Sequence, residues 1–278
     1  MTPAEKERNL VHFLEGFGSA IVAFSGGVDS SYLAFLSHRV LGASARIVTA
    51  LSPSVSRSQE DTVREFVARY GVNHHFIRTD ELHDPDYAAN PSNRCYFCKS
   101  ELFDRLRSLR DEWDVEAIFD GSNADDLGDY RPGRRAAQEK AVVSPLAEAG
   151  MGKTDIREQS RKWGLSTWDM PATPCLASRL PYGVEVTEAK LRQVDAAESL
   201  LRSLGFTEFR VRHHETLARL EISPAEMPRV FDQELLERIN RELKALGYRY
   251  VTLDLQGFRS GSLNESLSEE QKKATLEA

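Results

Sequence analysis

The first two-thirds of the chain alternate short apolar runs with amphipathic stretches. The apolar runs predict buried strands, and apolar residues at helical spacing predict helices between them. The predicted strands cover residues 20–24, 46–51, 72–78, 117–119 and 141–143. The predicted helices cover residues 4–15, a stretch that starts near residue 29, and residues 58–70, 98–109 and 154–163. This alternation indicates an α/β fold with a parallel sheet and right-handed crossovers.

The pattern changes in the last third of the chain. Residues 169–183 contain three prolines, which exclude a long helix there. Beyond them we predict helices over 188–204 and from 223 to about 246, and strands over 209–213, 217–222 and 248–255. This order is typical of a small α+β domain. We therefore predict a first domain over 1–180, a second over 181–262 and a flexible tail over 263–278.

A glycine-containing loop follows the first predicted strand, in the run Ser25-Gly26-Gly27-Val28-Asp29-Ser30. Gly26 and Gly27 let the backbone approach a phosphate closely and adopt positive φ. Ser25, Ser30 and the free N–H groups of the first helical turn can then surround an anion. Asp29 fits this site if it holds a divalent metal that bridges to the phosphates. An ordinary glycine turn is the alternative interpretation.

The three cysteines suggest a metal centre. Cys95 and Cys98 have Cys-x-x-Cys spacing, and Cys175 lies far along the chain in the proline-rich segment. Three thiolates can bind a [4Fe–4S] cluster and leave one iron open, where an extra sulfide could bind. A structural zinc would need a fourth ligand, and no histidine stands at a matching short spacing. The alternative is a buried or redox-active pair, with Cys175 independent of it.

An acidic loop follows the fourth predicted strand. Asp125 and Asp126 should face the glycine loop across the carboxyl edge of the sheet, where ligands bind in such folds. Paired carboxylates there could hold magnesium together with Asp29. A solvated acidic turn is the other interpretation of the same residues.

Charged residues share one face of the strands predicted at 209–213 and 217–222. Strict alternation puts Arg210 and Arg212 on the same side, and Arg219 and Glu221 share the polar side of the next strand. Two arginines and a glutamate on one face would suit a ligand that bears a phosphate. A solvated face with a weak surface ion pair is the alternative.

Composition restricts the class of protein. The 278 residues carry a net charge of −7 at pH 7 and a pI near 5.6, which argue against a nucleic-acid binder. We find no N-terminal signal segment and no apolar run of membrane length, so we expect a cytoplasmic protein. The odd number of cysteines argues against a disulfide framework.

The glycine loop resembles the PP-loop of the ATP pyrophosphatases, enzymes that split ATP between its α and β phosphates. Four further runs narrow the resemblance: residues 121–126, 129–133, 144–146 and 174–179. Together with the PP-loop, they are similar to those of the LarE family, ATP-dependent sulfur transferases that make the nickel-pincer nucleotide cofactor of lactate racemase. The similarity covers most of the chain. It implies a PP-loop ATP pyrophosphatase domain, of the adenine nucleotide alpha hydrolase-like kind, followed by a small α+β sulfur transferase domain.

The resemblance implies a reaction sequence. ATP adenylates a carboxylate of pyridinium-3,5-dicarboxylate mononucleotide, pyrophosphate leaves, and Cys175 attacks the acyl-adenylate and displaces AMP, which leads to a thiocarboxylate. Family members with one cysteine lose its sulfur and retain dehydroalanine, so each molecule acts once. Members with three cysteines are held to use a [4Fe–4S] cluster with an extra sulfide. Because Cys95 and Cys98 are present here, the resemblance implies a cluster with Cys175 as its third ligand.

The resemblance also implies roles for particular residues. Cys175, Asp29 and Glu221 are expected to be catalytic. Residues expected to bind ATP are Ala23, Ser25, Gly26, Gly27, Asp29, Ser30, Leu51, Gly121 and Asp125. Magnesium is expected at Asp29 and Asp125, and the substrate at Ser178, Arg179, Arg210 and Arg212.

Other functions stay open at this point. A PP-loop enzyme of tRNA thiolation can also use three cysteines and a cluster, although the acidic pI argues against it. An amidating synthetase would need a glutaminase domain, and a non-catalytic adenine-nucleotide sensor would leave Asp29 and the cysteines without a shared task. We expect a small nucleotide substrate, a homo-oligomer and partners from the cofactor pathway, with neither a membrane nor a nucleic acid. Conversion of one carboxylate or of both is compatible with the sequence.

Overall fold

The computed structural model describes residues 1–128, 132–259 and 261–268. A four-stranded parallel sheet with the strand order β3-β2-β1-β4 confirms the predicted α/β class. Its strands are β1 (Ala20–Ala23), β2 (Ala45–Leu51), β3 (His74–Arg78) and β4 (Ala117–Phe119). The helices of this part are α1 (Pro3–Glu15), α2 (Val28–Leu41), α3 (Arg57–Tyr70), α4 (Pro85–Ala88), α5 (Arg94–Glu112), α6 (Gly133–Glu139), α7 (Pro145–Glu148) and α8 (Lys153–Lys162).

Helices cover both faces of this sheet, and the central strand β1 is buried along its whole length. On one face, Val22 belongs to an apolar cluster with Leu33 of α2 and Phe66 of α3. On the other face, Ile21 packs in a cluster with Phe103 of α5. The result is a three-layer α/β/α arrangement, which leaves the carboxyl edge of the sheet open for ligands.

A second, smaller sheet follows the proline-rich segment. Its elements are α9 (Glu188–Ser203), β5 (Phe209–His214), β6 (Leu217–Ile222), α10 (Gln233–Ala245) and β7 (Tyr250–Leu253). The strand order is β5-β6-β7, with β5 antiparallel and β7 parallel to β6. Phe209, Leu220 and Leu243 belong to its own apolar cluster.

The strand predicted at 141–143 is wrong. Among the described residues, Val143 forms one isolated bridge with Phe119 of β4. Ala141 has a positive φ of 55°, and Pro145 opens α7 shortly after the bridge. The chain therefore turns away on both sides of Val143, and a longer pairing is prevented.

The helix predicted to begin at Ser223 is also misplaced. Helix α10 begins at Gln233, with Asp232 as its N-cap. Glu226, the residue that would complete a capping box, instead accepts hydrogen bonds from the backbone N–H groups of Thr207 and Glu208, each at 3.0 Å. This long-range contact takes the carboxylate away from a local cap, and the segment closes as a single 3₁₀ turn.

The last described residues contact the second sheet region. A 3₁₀ turn covers Ser262–Ser266, and Asn264 Oδ1 accepts a hydrogen bond from the Tyr182 hydroxyl at 2.9 Å. Residues 269–278 of the predicted tail lie outside the described residues. Across the described ranges, no helix has both the length and the apolar character needed to cross a membrane.

Candidate active site

Backbone geometry shapes the PP-loop between β1 and α2. Gly26 has a φ of +79°, and a Cβ there would lie 3.0 Å from Val63 Cγ2. Ser25 and Ser30 share an Oγ–Oγ hydrogen bond of 3.0 Å, and Ser25 N donates to Ser30 Oγ at 3.2 Å. Gly27 is the N-cap of α2, so that residue has no side chain to cover the first helical N–H groups. The loop is suited to an anion.

The residues expected to bind ATP lie along one edge of the sheet. Ala23 and Leu51 are the last residues of β1 and β2. Gly121 follows β4 and packs against the PP-loop, since a Cβ there would lie 3.1 Å from Ser30 N. A residue without a side chain permits this close approach.

Asn123 joins the acidic loop to Asp29, and the sequence analysis missed it. Its Nδ2 donates to Asp29 Oδ2 at 3.2 Å, and its Oδ1 accepts from Asp125 N at 2.9 Å and Asp126 N at 3.3 Å. The residue is only 1% exposed. An asparagine after a strand is typical of an ordinary turn, so the sequence held no signal that distinguished it.

Lys153 also contacts the predicted carboxylates and was not predicted. Its Nζ lies 3.2 Å from Asp29 Oδ2, and its backbone N donates to Asp125 Oδ2 at 2.7 Å. Asp125 also lies against Gly152, where a Cβ would come within 2.7 Å of Asp125 Oδ1. One sequence signal was available, because a lysine in the first turn of a helix opposes the helix dipole and indicates a nearby anion.

Asp29 keeps one acceptor atom free. Within the described residues, its Oδ1 is buried and has no hydrogen-bond partner. In the same part of the chain, no group of three or more His, Cys, Asp or Glu side chains could hold a metal ion. Magnesium usually takes one or two carboxylates together with phosphate oxygens and water. Asp29 and Asp125 therefore fit a magnesium ion that arrives with a nucleotide.

The three cysteines lie near one apolar cluster. Cys95 and Cys98 are in the first turns of α5, which begins earlier than predicted and so carries both. Cys98 and Cys175 pack against the cluster that contains Tyr87. Burial raises the pKa of the Cys98 thiol, and the negative charges of Glu81, Cys175 and Cys95 raise it further. The three thiols are therefore electrostatic neighbours.

The Cys175 segment and the PP-loop contact the two ends of one connection. Leu176 N donates to Ser54 O at 2.8 Å, in the loop that follows β2. That loop leads into α3, where Gln59 Nε2 donates to Ser25 O at 2.8 Å. The segment with Cys175 thus docks at the edge of the sheet that holds the PP-loop.

Arg179 holds the Cys175 segment in place. Its Nε and Nη2 donate to the two carboxylate oxygens of Glu198 at 2.8 and 2.9 Å. Its Nη1 donates to Pro174 O at 2.7 Å and to Ser178 Oγ at 2.9 Å, and Ser178 Oγ donates to Cys175 O at 2.7 Å. Burial alone would raise the pKa of Glu198, but the Arg179 charge keeps it below its usual range. Arg179 is 2% exposed and all three nitrogens are engaged, which differs from the substrate contact expected from the resemblance.

Arg212 and Glu221 form a second buried pair, on the face shared by β5 and β6. Arg212 Nε donates to Glu221 Oε1 at 2.9 Å, and its Nη1 donates to Ser178 O at 2.7 Å. Glu221 is fully buried and also accepts from Arg219 Nη2 at 3.1 Å. This face packs against the Cys175 segment, so it is not the solvated face that was the alternative.

Arg210 differs from the neighbouring arginines. Its nitrogens donate to the backbone carbonyls of Phe209 and Ala172, whereas Arg179 and Arg212 each have a buried carboxylate partner. Burial lowers the pKa of Arg210 to about 10, and the charges of Arg179 and Arg212 contribute to this lowering. Arg210 is therefore the arginine of this group that is best suited to an incoming anion.

Comparisons with known proteins identify the family. No family model matches the chain. An uncharacterized protein of Synechocystis sp. is 43% identical over 263 residues, which cover 95% of this chain and 98% of that protein. The pyridinium-3,5-bisthiocarboxylic acid mononucleotide synthase of Lactiplantibacillus plantarum is 38% identical over 272 residues, which cover 97% of this chain and 98% of that enzyme. The chain belongs to the family of this mononucleotide synthase.

A more distant similarity concerns the PP-loop part. A glutamine-hydrolyzing GMP synthase of Methanopyrus kandleri has a component chain that is 24% identical over 200 residues, which cover 67% of this chain and 63% of that one. Together with the parallel sheet, this similarity agrees with a PP-loop fold in this member of the mononucleotide synthase family.

The run at residues 129–133, which contributed to the family resemblance, borders the cysteines. Asp129, Tyr130 and Arg131 lie outside the described residues. Gly133 packs on α5, since a Cβ there would lie 3.0 Å from Lys99 Cγ and 3.4 Å from Cys95 O. A larger residue at this position would therefore displace the helix that carries Cys95.

Donor chemistry tests whether an iron–sulfur cluster suits this family member. Cysteine thiolates are the usual ligands of [4Fe–4S] clusters, and each binds a different iron. The three thiols therefore need not converge on one point, as the ligands of a single metal ion must. Their mutual electrostatic influence and their chemistry fit such a cluster.

Proposed function

We propose that this protein is an ATP-dependent sulfur transferase that acts on pyridinium-3,5-dicarboxylate mononucleotide. It adenylates a carboxylate of this substrate and converts it to a thiocarboxylate for nickel-pincer cofactor synthesis. The observation that carries the proposal is the docking of the Cys175 segment at the edge that holds the PP-loop. The name of the Lactiplantibacillus relative, which specifies a bisthiocarboxylic acid mononucleotide, supports the substrate class.

The PP-loop binds the phosphates of ATP in this proposal. The positive φ of Gly26 and the N-cap position of Gly27 direct backbone N–H groups toward an anion. Asp29 and Asp125 would hold Mg²⁺, which neutralises phosphate charge when it is bound. Ser25, Ser30 and Gly121 complete the wall of this site.

Adenylation makes the later chemistry feasible. A carboxylate is a poor electrophile, and its conversion to an acyl-adenylate supplies AMP as a leaving group. A thiolate or a sulfide is then a suitable nucleophile. Arg179 and Ser178 hold the backbone around Cys175, so they fix where this sulfur chemistry takes place.

Arg210 and Arg212 bind the phosphate of the pyridinium nucleotide in this proposal. Arg210 is the better candidate for direct contact, because Arg212 is already paired with Glu221. Glu221 then has the role of fixing Arg212, and through Ser178 O it is coupled to the Cys175 segment. Arg179 is assigned a positioning role.

The proposed sulfur source is a [4Fe–4S] cluster held by Cys95, Cys98 and Cys175. When bound, such a cluster supplies an open iron site that can carry an extra sulfide. The alternative is that Cys175 gives up its own sulfur and becomes dehydroalanine. A reducing compartment such as the cytoplasm would keep the three thiols available for either route. The predicted homo-oligomer stays a prediction.

One experiment tests the reaction as a whole. The protein is incubated anaerobically with ATP, Mg²⁺ and the pyridinium mononucleotide, and the products are weighed by mass spectrometry. We expect AMP, pyrophosphate and a nucleotide in which sulfur replaces a carboxylate oxygen. AMP and pyrophosphate without a sulfur-containing product would contradict sulfur transfer.

A second measurement separates the sulfur sources. Anaerobically purified and reconstituted protein should contain iron and labile sulfide near four each per chain. After turnover, its Cys175 peptide should keep the cysteine mass. Colourless protein whose Cys175 becomes dehydroalanine would instead establish the sacrificial route.

A further inference from the structure

Asp29 uses its two carboxylate oxygens unequally. Oδ2 accepts a hydrogen bond from Asn123 Nδ2 and contacts Lys153 Nζ, both at 3.2 Å. Oδ1 is buried and has no hydrogen-bond partner within the described residues. Because a buried oxygen without a partner is destabilising, this atom is suited to a cation that Lys153 does not replace.

Lys153 combines a fixed backbone with a movable side chain. Its backbone N donates to Asp125 Oδ2, and the preceding Gly152 N donates to Asp155 Oδ2 at 3.0 Å. Asp155 is itself anchored to α1 by Lys6 Nζ at 2.6 Å. The Lys153 side chain, in contrast, is 41% exposed. Its ammonium group can therefore change partner while α8 stays in place.

Charge balance gives Lys153 a destination. The PP-loop and its flanks, residues 24–31, contain no lysine or arginine, so a triphosphate bound there needs cations from other elements. Lys153 already reaches the second residue of α2, next to the N–H groups that form the anion site. A lysine ammonium is a compact charge on a flexible stem and suits phosphate oxygens.

We propose that Lys153 is an exchangeable counter-ion of the ATP site. It neutralises Asp29 in the nucleotide-free protein and moves to the phosphates of ATP when Mg²⁺ takes its place at Asp29. The proposal rests on the proposed function only in that ATP is the nucleotide. Each stage is balanced, because Asp29 always has a cation and the ammonium always has an anion.

Lys153→Met tests the exchange, because it keeps an unbranched side chain and removes the charge. Without nucleotide, Mn²⁺ alone should bind the variant more tightly than wild type, since no ammonium competes for Asp29. Mg²⁺–ATP should bind it more weakly, by roughly 10- to 100-fold, the usual effect of a lost charged hydrogen bond. Electron paramagnetic resonance measures free Mn²⁺, and calorimetry measures ATP binding. Lys153→Arg should recover most of the ATP affinity.

Lys6→Met is the matched control. It removes the anchor of Asp155 at the same end of α8 and leaves the Asp29 contact intact, so both affinities should stay at the wild-type level. The proposal is overturned if Lys153→Met leaves ATP affinity unchanged, or if it weakens Mn²⁺ and ATP binding together, as a merely structural residue would. No pyridinium nucleotide is present, so these results are independent of whether the enzyme later thiolates that substrate.

Discussion

The two halves of the candidate site are built in different ways. The PP-loop is a contiguous run whose shape depends on glycine backbone geometry and on backbone N–H groups. The Cys175 segment has little regular structure of its own and is held by the buried pairs Arg179–Glu198 and Arg212–Glu221. The first half is therefore set by local conformation, and the second by charges that meet from distant parts of the chain.

This difference has a consequence for robustness. A loop set by backbone geometry tolerates many side-chain changes but not a change at the glycine with positive φ. A segment held by buried ion pairs is sensitive to the loss of a single charge, because the partner is then left buried and uncompensated. Variants of each kind should therefore affect stability and activity differently in the two halves.

The largest effect on stability is expected from Arg179→Met. It leaves Glu198 buried without its partner, and we expect a loss of about 3–5 kcal/mol in the free energy of unfolding. Arg57→Met is the control, because Arg57 pairs with Asp195 but is 88% exposed, and it should cost less than about 1 kcal/mol. Urea unfolding measures both. Equal losses would show that the Cys175 segment does not depend on its buried pair.

The next effect concerns catalysis in the PP-loop half. Asp29→Asn keeps the shape of the side chain and removes its charge, so pyrophosphate release should fall at least about 100-fold, or ~2.7 kcal/mol. Asp125→Asn should cost less, because its acceptor contact with Lys153 N can persist. Pyrophosphate release is followed in a coupled assay. Retention of wild-type release in Asp29→Asn would remove this residue from the metal site.

The same contrast explains what could be predicted from the sequence. The PP-loop run and the strands around it were predictable, since both depend on neighbouring residues. The partners Asn123 and Lys153 were not, because each looks ordinary in its own segment and acquires its role through a contact with Asp29. Arg179 shows the same limit: the family resemblance suggested substrate contact, whereas its salt bridge with Glu198 exists only after α9 has packed.

Gly26→Ala isolates the backbone contribution in the PP-loop half. Alanine at a φ of +79°, with its Cβ 3.0 Å from Val63 Cγ2, should cost about 1–2 kcal/mol of unfolding free energy. Gly27→Ala is a matched control, because Gly27 has a φ of −75° and the nearest atom to a Cβ there is 3.6 Å away. Both are measured by urea unfolding without nucleotide. If the two variants lose equal stability, positive φ is not the constraint on this loop.

Arg210→Met tests whether the second half binds the anionic substrate. We expect the KM for the pyridinium nucleotide to rise about tenfold, the effect of about 1.4 kcal/mol, with the KM for ATP unchanged. Arg202→Met is the control, because Arg202 is exposed and its guanidinium lies 5.5 Å from the centre of the Phe209 ring. An unchanged KM for the pyridinium nucleotide in Arg210→Met would place its phosphate elsewhere.

Acid should weaken the two halves at different pH values. Burial lowers the pKa of His74 to about 4, and its Nε2 lies 2.9 Å from Thr49 Oγ1, which donates to Phe24 O at the start of the PP-loop. Since the unfolded state takes up the proton first, stability is complete above about pH 6.5 and falls as the pH drops toward 4. The pKa of Glu198 is instead lowered from its ordinary value of 4.5, so its contribution is lost only below that pH.

His74→Gln separates these two transitions. Between pH 7.5 and 5.0, wild type should lose about 1 kcal/mol of unfolding free energy, a value reduced for the partial exposure of the ring. His74→Gln should lose clearly less over that interval, because glutamine can still donate to Thr49 but does not titrate. His12→Gln, on the exposed face of α1, should behave like wild type. If His74→Gln kept the full pH dependence, the weakening between pH 7.5 and 5.0 would have to come from groups other than this buried histidine.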